Sequence, residues 1–356
     1  MQAVGRLLGG SGMLVGTTVT SFLIGYLVHP VTKEATQSTR FEHPVFDPQK
    51  VARGEQILKY GAPDRGPELR YYANHVLSYD QAKKTPLWVA EHITKDHLNG
   101  SASRKDSKFR RDPSIPDFYS SYNSDYVGSG YSRGHMAPAG DNKYSQLAMN
   151  ETFYLSNILP QDINNNMVFW NRVEIYCRGL TEKFTDVYII SGPLVIPQQD
   201  KDGNKYVKYQ VIGNSNVAVP THLFKIIAAE NATQGQQVAV GAFVIPNEPI
   251  SSDRQLIEFQ VNLEDVEKFS GFTFLKKLNR TEAKNLCDVD GCKLIPTDEL
   301  ELLTVGKKLA GAKSTNALNK VWNDMNEKGL KPDQYLQDVF NKRKKELQEK
   351  EEKGTK

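Results

Sequence analysis

The residues best suited to chemistry lie between Tyr131 and Glu174. His135 follows Gly134, which lets the chain approach a ligand closely, and stands two residues after Arg133. A neutral imidazole can take a proton from water near neutral pH, and a guanidinium presents a planar fork to a phosphate oxygen. Further on, Asn166 offers a neutral carbonyl oxygen, a hard donor suited to a cation such as Mg²⁺ that keeps most of its water. Glu174 follows eight residues later, and in a regular helix that spacing puts it on the same face, about 12 Å along the axis. Arg178, at i+4 from Glu174, shares that face. One base, one metal ligand, one acid to orient water and several arginines are what phosphodiester hydrolysis requires. Taken singly, each has a structural reading: a buried core histidine, a capping asparagine, an ordinary helix ion pair.

The elements that must position this set are legible in outline. Met167 to Phe184 has apolar residues recurring every three or four positions, which predicts a helix. Asp186 to Pro193 predicts a buried strand ending at a Gly-Pro break. Val207 to Ile212, His222 to Ala229 and Val238 to Ile245 predict further strands. His222 reads as a core residue. After Pro296 the texture changes: Thr297 to Phe340 is amphipathic and helical, with interruptions at Gly329 and Pro332, and the lysine- and glutamate-rich stretch from Asn341 reads as a solvated helix.

Composition sets wide bounds. The chain has 356 residues, a formal charge of +3 and only three cysteines, which excludes a disulfide scaffold. Cys287 and Cys292 are spaced for a tight bridge or half a zinc site, and no second pair completes a zinc set. Residues 7–28 carry no charge, a run reaching ~33 Å as a helix and so long enough for a bilayer core. A membrane anchor or a mitochondrial import segment fits this run better than a cleaved secretory signal, whose apolar region is shorter. The expected organisation is a leader and linker at 1–40, an α+β domain at 41–296, and a helical extension at 297–356.

The segments Ser132-Arg-Gly-His-Met-Ala-Pro138, Tyr154-Leu-Ser-Asn-Ile-Leu-Pro-Gln161 and Trp170-Asn-Arg-Val-Glu174 together resemble the DNA/RNA non-specific endonuclease family with the ββα-metal (His-Me finger) site. The likeness is to its mitochondrial endo/exonuclease G branch. The resemblance implies a central antiparallel sheet flanked by helices, with a C-terminal helical wing. It implies that His135 is the general base, that Asn166 is the single protein ligand of Mg²⁺ or Mn²⁺, and that Glu174 holds a metal-bound water. It further implies that Arg104, Arg133 and Arg178 contact or steady phosphates. Relatives usually show Asn-x-Gly-x-Trp, whereas Asn166-Met-Val-Phe-Trp170 lacks that glycine, which leaves Asn164, Asn165 and Asn166 as alternatives; the distance to Trp170 favours Asn166. Ser132 stands where most relatives have aspartate. By the same resemblance, the substrate is DNA, with RNA as a second substrate, and the products carry 5′-phosphates. Cutting from 5′ ends alongside endonuclease activity, in mitochondrial DNA repair or primer removal, is implied too, as are inner-membrane anchoring and a homodimer. The competing readings are an endonuclease G-type enzyme acting in cell death and a catalytically dead, membrane-tethered nucleic-acid-binding protein.

Overall fold

The computed structural model describes residues 48–60, 62–231 and 237–354, without the side chains of residue 50 and of 351–354. The expected apolar leader lies outside the described residues, and among these no helix is long and apolar enough to cross a membrane. The chain divides into two compact units between Asp64 and Arg65. The first holds the helix Pro48–Ile57; all that follows concerns the second.

Its framework is an eight-stranded sheet. Strands β1 (Arg70–Tyr71), β2 (His75–Asp80) and β3 (Thr85–Ile93) pair in sequence. A separate antiparallel pair follows, β4 (Tyr131–His135) with β5 (Ile158–Asp162). The sheet resumes with β6 (Asp186–Leu194) beside β3. Two short ribbons come next: β7 (Gln198–Gln199) with β8 (Lys205–Tyr206), and β9 (Val211–Ile212) with β10 (Val217–Ala218). β11 (His222–Glu230), β12 (Ala239–Pro246) and β13 (Gln260–Val261) complete the antiparallel order β1-β2-β3-β6-β11-β12-β13, and β14 (Lys284–Asn285) adds parallel to β12.

β11 is buried along nearly its whole length because both of its faces are covered. Leu223, Ile227, Ile189, Val89 and Ile93 pack on one side with Phe169, Trp170, Val173 and Cys177. Phe224, Ile226 and Val244 pack on the other with Val266 and Phe274. A strand buried on both sides reads as a continuous apolar run, and Lys225 interrupts that run on the first face.

Three expectations need correcting. β6 does not break at Gly192-Pro193 but continues to Leu194. β3 accompanies it only to Ser191, so Pro193 sits where a missing N–H removes no bond to that neighbour. A Cβ on Gly192 would lie 2.7 Å from the Phe224 ring, so glycine is there to admit that side chain. Val207 to Ile212 has the alternation of a strand, yet pairs only at Val211–Ile212. Val207, Tyr209 and Val211 are exposed, because no second layer covers their side. The expected helix at 167–184 is a π-helical turn, Asn165–Trp170, running into an α-helix, Asn171–Leu180.

The helices Thr297–Gly311, Thr315–Glu327 and Gln334–Gly354 enclose a core of their own around Leu309, Leu318, Met325, Leu336 and Leu347. A break at 312–314 adds to the expected one near Gly329; Ser314 caps the second helix by accepting from the Ala317 amide at 3.2 Å. Cys287 and Cys292 are joined as a disulfide, which removes the zinc alternative.

Candidate active site

The site grows from β4, β5 and the helix that follows them. His135 ends β4 opposite Ile158. The return segment is held by Asn157, whose amide donates to the carbonyls of Ala137 and Thr152 and accepts from the Ala137 N–H. The reason for Gly134 is Gln161 rather than a ligand: a Cβ there would fall 2.0 Å from Gln161 Oε1 and 2.8 Å from its Cβ. Gln161 is fully buried and donates to Asn165 Oδ1 at 2.8 Å. Asn165 in turn donates to the carbonyls of Pro246 and Glu248. These bonds pin the start of the π turn to the sheet, and such turns concentrate at functional sites.

They also separate the three candidate asparagines. Asn165 is buried and committed to structure, and Asn164 is exposed with no polar partner among the described residues. Asn166 is half-buried and faces β4, donating to Ser132 Oγ at 2.9 Å, while Ser132 donates to the Gln161 carbonyl. That bond uses the amide nitrogen and turns the other end of the side chain, Oδ1, away as an acceptor without a hydrogen bond among the described residues. Because the turn is π-helical, a regular α-helical projection from Asn166 to Glu174 does not hold.

The His135 ring is buried between Phe109 and Phe153, with centroids 5.2 and 4.9 Å away. Arg133 lies over the Phe109 ring at 4.6 Å and Arg104 over the Phe153 ring at 5.5 Å. Two arginines therefore flank the imidazole, each stacked on the aromatic ring beside it. Arg133 is also steered by a bond to Asn123 Oδ1 at 2.8 Å. His135 Nε2 is buried with no partner among the described residues. Burial, reinforced by Arg104, His75 and Arg133, pushes this imidazole down to about 3, so it is neutral at physiological pH. The two phenylalanines escape a reading confined to polar residues, although Phe153 immediately precedes the Tyr154–Gln161 segment.

Glu174 and Arg178 follow on the helix Asn171–Leu180, whose fully buried Arg172 donates to the carbonyls of Ile295 and Ser252. Burial pushes the Glu174 carboxyl up to about 7; Asp141 adds to the rise, and Arg178, Lys225 and Arg104 oppose it. Arg104 thus acts on both Glu174 and His135. Arg178 has a partner that its spacing from Glu174 does not disclose: its Nη1 meets Asp141 Oδ1 at 2.7 Å. A Cβ on Gly140 would sit 3.0 Å from the same nitrogen, so Gly140 leaves room for the guanidinium. Arg178 keeps its proton, because Asp141 and Glu174 outweigh the opposing effect of burial.

The helix Thr297–Gly311 reaches this region through Lys307. Partial burial first, then Arg178, Lys143 and Arg104, hold its ammonium below the ordinary value, while Glu174 opposes them. Lys143 and Lys307 thus join a basic rim that motif spacing does not reveal.

The sequence model of the DNA/RNA non-specific endonuclease family matches residues 53–281. The chain belongs to that family. It is 51% identical over 310 residues to human "Nuclease EXOG, mitochondrial", covering 86% of this chain and 84% of that protein. To the mouse protein of the same name it is 48% identical over 344 residues, covering 94% of each. A crystal structure of the EndoG/EndoGI complex superposes with a TM-score of 0.60 at 41% identity, covering 66% of this chain and 98% of that one. The fold is accordingly the α+β fold of a ββα-metal nuclease, and the chain is a hydrolase acting on nucleic acid.

Nucleases of this family are metal-dependent, and the donors here fit a hard, well-hydrated cation. Asn166 Oδ1 is a neutral amide oxygen left without a hydrogen bond. Among the described residues no group of three or more His, Cys, Asp or Glu is placed to enclose an ion. A single neutral oxygen of this kind suits a cation that keeps most of its own water.

Proposed function

We propose that the chain hydrolyses phosphodiester bonds of DNA, and of RNA, in mitochondria, with His135 as general base and products bearing 5′-phosphates. The observation that carries the assignment is the neutral His135 imidazole, its Nε2 unpartnered, between two arginine-capped rings.

The phosphodiester lies between Arg104 and Arg133, and its negative charge offsets two of the influences that depress the imidazole. His135 Nε2 takes the proton of a water in line with the scissile bond, a contribution of ~10²- to 10⁴-fold. Glu174 orients water from the helix side, and Arg178, braced by Asp141, adds positive charge. Asn166 Oδ1 is the atom that would hold Mg²⁺ or Mn²⁺, whose charge, when bound, acts on the phosphoryl oxygen and the departing 3′-oxygen. Charge on the pentacoordinate phosphorus is then met by pre-positioned cations rather than by reorganising water.

Within the family we favour 5′–3′ exonuclease action with some endonuclease activity, in DNA repair or primer removal. Support comes from the curated relatives of 51% and 48% identity, both named nuclease EXOG, and from the wing helix that brings Lys307 to the rim. The alternative, an endonuclease of the EndoG type, draws on the superposed structure. We further propose that residues 1–40 anchor the enzyme at the inner membrane, that 297–356 form a wing limiting passage of a continuous strand, and that the enzyme is a homodimer.

Protein lacking residues 1–40, given end-labelled linear and circular DNA with Mg²⁺ or EDTA, tests the reading. Short 5′-phosphorylated fragments from linear DNA, with circles spared, are expected. Rapid cutting of circles would favour the EndoG type. His135→Ala should reduce turnover at least 100-fold, in line with a missing general base, and leave DNA affinity intact; retention of a tenth of the activity refutes the base assignment.

A further inference from the structure

Lys225 is an anomaly in the core. It lies mid-way along β11, 1% exposed, between Leu223 and Ile227 on the face that meets the site helix. A buried ammonium is costly unless it is bound by other groups. Its partners here are unusual. Nζ donates to Ser191 Oγ, directly across the β6 pairing, at 2.7 Å, and stands 4.7 Å from the centroid of the Trp170 ring. No carboxylate lies within ion-pair distance of it among the described residues. Trp170, 0% exposed, in turn donates its indole Nε1–H to the backbone carbonyl of His135 at 3.3 Å. Ser191, Lys225, Trp170 and His135 therefore form one line of contacts from the centre of the sheet to the end of β4.

We infer that Lys225 is a positioning residue for His135: its ammonium holds and polarises the Trp170 indole, whose N–H fixes the backbone carbonyl of the base. A cation over the ring face draws electron density from the indole and strengthens its N–H as a donor. The bond falls at the last residue of β4, where pairing with β5 ends, so it sets the direction in which the imidazole leaves the strand. The inference rests on His135 being the general base.

A simpler role is charge balance. Glu91, on the same sheet face, is buried with both carboxylate oxygens unpartnered among the described residues, and Lys225 opposes the strong upward push that burial exerts on its carboxyl. If Lys225 only served Glu91, removing both charges would restore the enzyme.

The test is steady-state kinetics on one DNA substrate with Lys225→Met, Trp170→Phe, Lys225→Met/Trp170→Phe and Lys225→Met/Glu91→Gln. The expected kcat loss for Lys225→Met is about tenfold or more with KM unchanged, the order that slight misplacement of a catalytic group produces. Trp170→Phe should match it, and the Lys225/Trp170 pair should be no worse than Trp170→Phe alone. Lys225→Met/Glu91→Gln should regain thermal stability while kcat stays low. This variant also answers the question if Lys225→Met does not fold. The Trp170 indole N–H proton resonance should move upfield in it as the bond to His135 weakens. Multiplying losses in the Lys225/Trp170 pair, a kcat restored in the Lys225/Glu91 pair, or an unmoved resonance would overturn the inference. An active His135→Ala would instead sink the base assignment, so the two failures are told apart.

Discussion

Gly134→Ala asks whether Gly134 is dictated by packing. The added methyl would lie 2.0 Å from Gln161 Oε1, 2.8 Å from its Cβ and 3.0 Å from its Cδ. Two of the three atoms are not the free end of the side chain, so a small rotation cannot clear them. Either β4 and β5 separate, or Gln161 leaves its place and gives up its 2.8 Å bond to Asn165. Overpacking a tight core costs about 1–3 kcal/mol, and a buried partner left unsatisfied about 1–3 kcal/mol. A combined loss of about 3 kcal/mol would lower Tm by roughly 5 °C for a unit of this size. Calorimetry or urea unfolding reads this directly. Because the same contacts hold the π turn bearing Asn166, activity should fall beyond what the unfolded fraction explains. Gln161→Gly removes all three clashing atoms, so that adding Gly134→Ala in that background should cost under about 1 kcal/mol, because space rather than conformation is at issue. An unchanged midpoint for Gly134→Ala, or an equal penalty in both backgrounds, refutes the reasoning.

Three further outcomes are expected. With Glu174 pushed up to about 7, activity that needs its carboxylate should rise with pH through about 7 in kcat/KM profiles, and Glu174→Gln should lose that rise along with most of the activity. A raised acid contributes stability at pH below its unfolded value that is lost as pH rises through the folded one, so Glu174→Gln should gain up to about 2–3 kcal/mol over wild type at pH 8 and nothing at pH 4; a pH-independent difference in urea titrations would contradict this. Ser132→Ala removes the acceptor that orients Asn166, at 2.9 Å; losing about 1 kcal/mol of orientation should raise the Mg²⁺ concentration for half-maximal activity about fivefold. Unchanged metal dependence would show that the bond does not position the amide.

Much of the site was readable because its chemistry is concentrated in short, ordered segments. His135, Asn166 and Glu174 lie within forty residues of chain, and the pattern Met167 to Phe184 placed the last on a helix. Local pattern failed where a distant neighbour decided the outcome. The strand-like alternation of Val207 to Ile212 found no layer to cover it, and Gly192-Pro193, which looks like a stop, is carried through by Phe224 filling the space beside the glycine. The spacing of Asn166 and Glu174 implies an α-helical phase, but a π turn, anchored by Gln161 and by two carbonyls more than 80 residues further along the chain, replaces that α-helix at its start.

What the sequence determined by itself is the inventory: an imidazole, a run of asparagines, an acid, arginines, and an α+β order of elements, because residue type and short spacing are properties of the chain alone. Which asparagine remains open to a ligand, which acid holds Arg178, and how a lysine comes to lie under the active-site tryptophan were decided only by the tertiary structure. Each depends on burial and on partners brought together from separate strands. Burial also changes the charges themselves, pushing His135 down to about 3 and Glu174 up to about 7. No local pattern carries that information, because the cost of a charge is set by everything that displaces water around it.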